Sequence, residues 1–165
     1  MELGNRKIKL NSGFEVNRII IVSHLREGEM KTDVRLMEEL EINHKISGGL
    51  PVFHQETSGV GDFLVFLEDV FSGCKYKYHR PVLHVECHGC EKRGLRFVDG
   101  YLSWSLFGKK LRDINFATKN NLIVTMATCY GLNAYWESLR YDRLCPAWYV
   151  MAPQRKAKSG DLGDF

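Results

Sequence analysis

Pro81-Val82-Leu83-His84-Val85-Glu86-Cys87-His88-Gly89 decides the fold once it is set beside Val124-Thr125-Met126-Ala127-Thr128-Cys129-Tyr130-Gly131. Each is a short apolar run with β-branched residues. Each ends in a reactive side chain with a glycine close behind. Runs of this kind are buried parallel strands, and in open α/β sheets ligands bind beyond the carboxyl ends of the strands. The chain between the two runs is long enough for the crossover helix that parallel neighbours require. The pattern therefore predicts His88 and Cys129 at one edge of one sheet.

That pair has a specific chemistry. A thiolate is the nucleophile, and a nearby imidazole lowers the thiol pKa or takes its proton. Gly89 and Gly131 let backbone and substrate approach closely. Amide N–H groups at such turns hold the oxyanion of an acyl-transfer intermediate. Alone, Cys129 is a small buried hydrophobe and His88 a strand-end histidine. The order His-Gly then Cys-x-Gly is what points to nucleophilic catalysis. His84, Glu86 and His88 alternate with Leu83, Val85 and Cys87, so the first three share a face. Hydrogen bonding within the core is the expectation for His84 and Glu86, rather than orienting His88.

Leu83-His84-x-x-x-His88-Gly89 followed by a small-residue run into Cys129-x-Gly131 resembles the CHAT-type branch of the caspase-like cysteine peptidases. His84 and the segment Gly94-Leu95-Arg96-Phe97-Val98-Asp99-Gly100 point to that branch, and the resemblance covers residues 18–165. It implies a cysteine endopeptidase with Cys129 as nucleophile and His88 as acid–base partner. It implies backbone oxyanion donors at Gly89 and Cys129, a protein or peptide substrate, and no cofactor. Bacterial members act in defence, antiviral defence included, or in regulated proteolysis, with a gasdermin-like pore former as one type of substrate. Ala127 stands where the caspase signature has Gln, so an acidic-P1 preference does not carry over. Ala127 and Arg26 are the candidate substrate-binding positions. Arg26 would read an acidic group in bidentate fashion, against the simpler reading of a solvated loop charge.

Cys87-His88-Gly89-Cys90 is also a C-x-x-C, which raises zinc. No second such pair exists, and neighbouring strand residues face opposite ways, so no metal is expected. A redox C-x-x-C opens a helix, whereas here a hairpin is expected to follow. The chain has 165 residues, enough for one domain with a real core. A net charge of +3 is too weak for a nucleic-acid partner. No apolar run approaches the roughly 18–20 residues that cross a membrane, and the start has no signal core. Five cysteines without a secretory context point to reduced thiols in a cytoplasm.

In chain order, residues 1–17 predict an edge strand or hairpin. Residues 18–24 are a β-branched buried strand, followed by a charged loop over 26–31. A helix is expected over 32–40 with Thr32 as N-cap, then a strand at 52–54 and a helix over 60–71. The His strand is expected at 82–88, and a hairpin turning on Asp99-Gly100 follows it. A helix capped by Ser103 or Ser105 leads to the Cys strand at 122–127. A helix over 132–140 would favour a thiolate at Cys129 through its dipole. A last strand follows at 147–151. This order predicts an α/β domain with a mostly parallel sheet and helices on both faces. Lys75, Tyr76, Lys77 and Tyr78 form a surface turn.

Ser159 to Phe165 reads as the start of another helix, so residues 1–165 are expected to be one catalytic domain separated from a downstream portion. A downstream segment or second subunit would then complete the pocket. The Trp148-Tyr149-Val150-Met151 strand would be an exposed apolar edge or dimer seam. Two other functions compete: a catalytically silent adaptor on the same fold, and a thiol-dependent acyltransferase or esterase.

Overall fold

The computed structural model describes residues 8–9, 14–142 and 144–156. Two short strands, β1 (Ile8–Lys9) and β2 (Glu15–Val16), form an antiparallel ribbon. The main sheet follows. β3 (Arg18–His24), α1 (Thr32–Ser47), β4 (Val52–Glu56), α2 (Val60–Tyr76) and β5 (Pro81–Cys90) come first. Then come β6 (Gly94–Phe97), β7 (Gly100–Leu102), α3 (Trp104–Ala117), β8 (Ile123–Ala127), α4 (Asn133–Asp142) and β9 (Tyr149–Met151). Strands β4, β3, β5, β8 and β9 lie side by side in that order, all parallel. Past the parallel region, β5 runs on and pairs antiparallel with β6 through His88–Cys90, and β7 closes the hairpin. The α/β class, the mostly parallel sheet and the hairpin after the His strand are as the sequence predicts.

Handedness places the helices. The step from β3 to β4 goes one way across the sheet, and every later step goes the other way. Right-handed crossovers then put α1 on one face and α2, α3 and α4 on the opposite face. The packing agrees. Phe63 and Leu67 of α2, Phe107, Leu111 and Ile114 of α3 and Ala134 of α4 join Ile20, Val22, Leu83, Val85, Val124 and Met126 in one core. On the other face α1 packs against β3 and β4.

Several boundaries differ from the sequence reading, each for a physical reason. Helix α1 continues to Ser47, because its last two turns leave the sheet and need no apolar face. Ile42 and Ile46 there are 56% and 81% exposed, and Lys45 pairs with Glu41 at 3.4 Å. Thr32 is not its N-cap. Lys31 takes that position, and the Thr32 hydroxyl donates to Glu86 instead. Helix α2 runs through Ser72-Gly73 to Tyr76, carried by buried Cys74. The hairpin turns on Val98-Asp99, since Phe97 pairs with Gly100. Asp99 is drawn off to the start of α2, where its carboxylate accepts the Val60 N–H at 3.0 Å. Ser103, not Ser105, caps α3 by accepting from the Leu106 N–H at 3.2 Å.

Strand β9 forms one outer edge of the sheet among the described residues, with Trp148, Tyr149 and Met151 about half exposed. No described helix is long and apolar enough to cross a membrane. The helix start expected at 159–165 lies outside the described residues.

Candidate active site

The reversal of connection direction falls between β3 and β5. At such a switch point the loops leaving adjacent strands diverge to opposite faces and open a crevice at the carboxyl edge. His88 stands in that crevice, near the end of β5. Its β8 counterpart is set by register: Glu86 pairs with Ala127, the last residue of β8. Two residues further along each chain stand His88 and Cys129. Gly89 closes the gap between the two segments. A Cβ built on it would lie 1.8 Å from the Cys129 carbonyl oxygen and 2.9 Å from the carbonyl carbon. Only glycine fits against that backbone.

Cys129 is half-buried in a tight turn. The Gly131 N–H donates to Thr128 O at 3.1 Å, and Tyr130 adopts φ +61°. A positive φ on a tyrosine is costly and persists only where surrounding structure imposes it. Here the chain after β9 does so: Tyr130 and Leu132 donate their N–H groups to the carbonyls of Arg155 and Pro153 at 3.2 and 3.3 Å. Helix α4 begins at Asn133, after the turn, one residue later than the sequence predicts. The Asn133 amide anchors that start to the Glu91 carbonyl at 3.0 Å.

From His84 onward the β5 face that carries His88 is polar. His84 Nδ1 lies 2.8 Å from the Thr125 hydroxyl, and Glu86 accepts from Thr32. His84 and Glu86 are thus satisfied within the fold, as their burial predicts. The partner of His88 comes from elsewhere: its Nε2 is 2.8 Å from Glu29 Oε1, in the loop after β3. The other carboxylate oxygen of Glu29 accepts the Arg26 N–H at 2.8 Å. Burial pushes the Glu29 carboxyl up. The Arg26 amide, the His88 hydrogen bond and the charges of His88 and Arg26 outweigh this and hold it below its ordinary range. The sequence reading missed Glu29. The signal available was its charged loop, at the carboxyl end of the neighbouring strand.

The same loop enters α1 through a buried knot. Ser23 donates to Asp33 Oδ2 at 2.5 Å, and His54 Nε2 lies 2.9 Å from the same oxygen. Burial pushes Asp33 up, but the Ser23 hydroxyl, the Val34 N–H and His54 bring it below the usual carboxylate value. His24 ties three loops together, donating from Nδ1 to Thr57 O at 2.6 Å and accepting the Val98 N–H at 3.2 Å.

Of the candidate substrate-binding positions, Arg26 is exposed on the loop beside Glu29, and Ala127 is half-buried at the end of β8. Cys87 points the other way, into the core, where burial pushes its thiol up to about 12. Among the described residues no three His, Cys, Asp or Glu side chains gather as a metal centre would need. Two cavities of about 220 and 230 Å³ lie elsewhere, one between α2 and α3 and one between α4 and β9. Comparison of the chain with protein-family models, with curated proteins and with solved structures finds no match.

Proposed function

We propose that this domain is a caspase-like cysteine endopeptidase of the CHAT type, working through Cys129 and His88. One observation supports the reading: β5 and β8 run in register up to Glu86 beside Ala127, two residues short of His88 and Cys129, and a Cβ on Gly89 would run into the Cys129 carbonyl. A fold hosts many chemistries, so the proximity of these two segments, and not the sheet, points to the activity. In the proposed reaction the Cys129 sulfur attacks the scissile carbonyl carbon, and His88 passes the thiol proton to the leaving amine. Water then hydrolyses the thioester with His88 as base, which returns the thiol. The amides of Gly89 and Cys129 would hold the oxyanion. The substrate class is a protein or peptide in the cytoplasm. By resemblance it extends to a gasdermin-like pore former in bacterial antiviral defence, and a second subunit would add to the pocket.

A catalytically silent adaptor is the second reading. It is favoured by the cavity between α4 and β9, which is lined by exposed aromatic side chains. Exposed Trp136, Trp148 and Tyr149 around the α4–β9 cavity would be its contact surface. Mass spectrometry of a peptide library digested by wild type, Cys129→Ala and His88→Ala separates the two. The peptidase reading expects cleavage that falls by about a thousandfold or more in either variant. An undigested library, with Cys129 reacting toward electrophiles no faster than an ordinary thiol, selects the adaptor.

A further inference from the structure

We infer that Glu29 is the positioning residue of the His88–Cys129 pair: its carboxylate, reaching across the crevice between β3 and β5, fixes which nitrogen of His88 carries the proton and leaves the other to serve Cys129. The inference rests on the peptidase reading and adds a third group to it.

A carboxylate only accepts hydrogen bonds, so the 2.8 Å contact makes His88 Nε2 the N–H donor. In the neutral ring the lone pair then sits on Nδ1, which becomes the base. When the Cys129 thiol gives its proton to Nδ1, the ring turns cationic, with its Nε2–H still facing Glu29. The carboxylate stabilises that cation without taking a proton, and the thiolate population rises accordingly.

Glu29 is itself held for this task. Its Oε2 accepts the Arg26 N–H at 2.8 Å, and its own N–H donates to Arg26 O at 3.1 Å. Gly28 between them takes φ +84°, a conformation suited to glycine, and so turns the carboxylate back toward β5. The loop is pinned a few residues on by Thr32 to Glu86 and by Asp33 to Ser23. Other charged or titratable groups bear on His88 as well. Glu86 and His84 share its strand face, Cys129 follows β8, Arg26 lies on the loop, and Arg96 is its register partner in β6. Glu86 is committed to Thr32 and lies 3.8 Å from His84. Among the described residues Glu29 is thus the carboxylate hydrogen-bonded to His88. The His88 and Glu29 side chains are 44% and 33% exposed, so their pairing adds little to the stability of the fold.

The test uses the full chain and iodoacetamide, with alkylation of Cys129 followed by peptide mass spectrometry from about pH 5 to about pH 9. His88→Ala should slow the reaction across the neutral range. Glu29→Gln should move the reactivity profile up by about one pH unit, a roughly tenfold loss near neutrality, and Glu29→Asp should recover part of it. Nitrogen-15 shifts of His88 should show the Nε2–H tautomer in wild type and a mixture in Glu29→Gln. A Glu29→Gln profile that superimposes on wild type, while His88→Ala is slow, overturns the role of Glu29 and leaves the pair standing. A thermal midpoint lowered with the profile unmoved shows a structural role and overturns it too. Reactivity of Cys129 unaffected by His88→Ala removes the pair, and the positioning role with it.

Discussion

Along β5, Leu83, Val85 and Cys87 are 0%, 0% and 4% exposed, while the His84, Glu86 and His88 side chains one position over are 16%, 9% and 44% exposed. The first face is dry and covered by three helices. The second meets one helix, and its buried side chains are tied by hydroxyl–carboxylate and hydroxyl–imidazole bonds. Apolar packing and polar hydrogen bonding are thus divided between the two faces of one strand. Two cysteines differ in setting as well: Cys87 is sealed in the core, its thiol pushed up to about 12, whereas Cys129 is half-buried in the turn after β8.

If the dry face carries the stability, deleting a ring there should cost most. Phe107 is fully buried, its ring centroid 5.9 Å from that of Phe63. Phe107→Ala should lower the unfolding free energy by about 3–5 kcal/mol in urea titration. A loss under about 1 kcal/mol would erase the distinction between the faces.

The knot at Asp33 comes next, since it is the part of the polar face that is fully buried. Asp33→Asn should cost about 1.5–3 kcal/mol at neutral pH. The sign follows from a folded-state carboxyl held below its ordinary value. Its stabilisation is fully present above the unfolded value of about 3.9 and is lost as the pH falls through the folded one. The gap between wild type and variant should therefore narrow below about pH 4 in acid-unfolding curves. A constant gap would assign the effect to packing alone.

The smallest stability effect with the largest chemical one is expected at the edge. Gly89→Ala forces a methyl into the Cys129 carbonyl and should cost about 1–3 kcal/mol as local overpacking. Because Cys129 must move to admit it, alkylation of Cys129 should lose its dependence on His88. Retention of that dependence would show that the two segments can part without harm.

The strands were legible because β-branched runs such as Arg18–His24 need no partner to be recognised, and the crossover rule then arranges the helices. What the sequence hid was non-local. Asp99 turns up as the cap of a helix 39 residues earlier, which shifts the hairpin turn by one position. Glu29 meets His88 across 59 residues, from a loop whose apolar pattern is silent. The polar end of α1 carries no periodic signal, since it packs on nothing. His88 and Cys129 stood out in the sequence because each lies at or just past the end of the shared β5–β8 pairing, behind an apolar run. Glu29 stood out in no such way, because it follows β3 in a charged loop.

The sheet also fixes when the candidate site can exist. Its central strand gains its neighbours at long range, Arg18 with Pro81 on one side and Val82 with Ile123 on the other. Closing such loops costs entropy before any pairing repays it, so parallel sheets of this kind form slowly and late. During synthesis the ribosome has passed Cys129 before β8 can dock, and Arg155 before the turn holding Cys129 is tied down. A nascent or half-folded chain therefore carries its thiol and its imidazole apart. The two side chains share one neighbourhood only once the sheet is complete, so any joint chemistry proposed for them is confined to the folded chain.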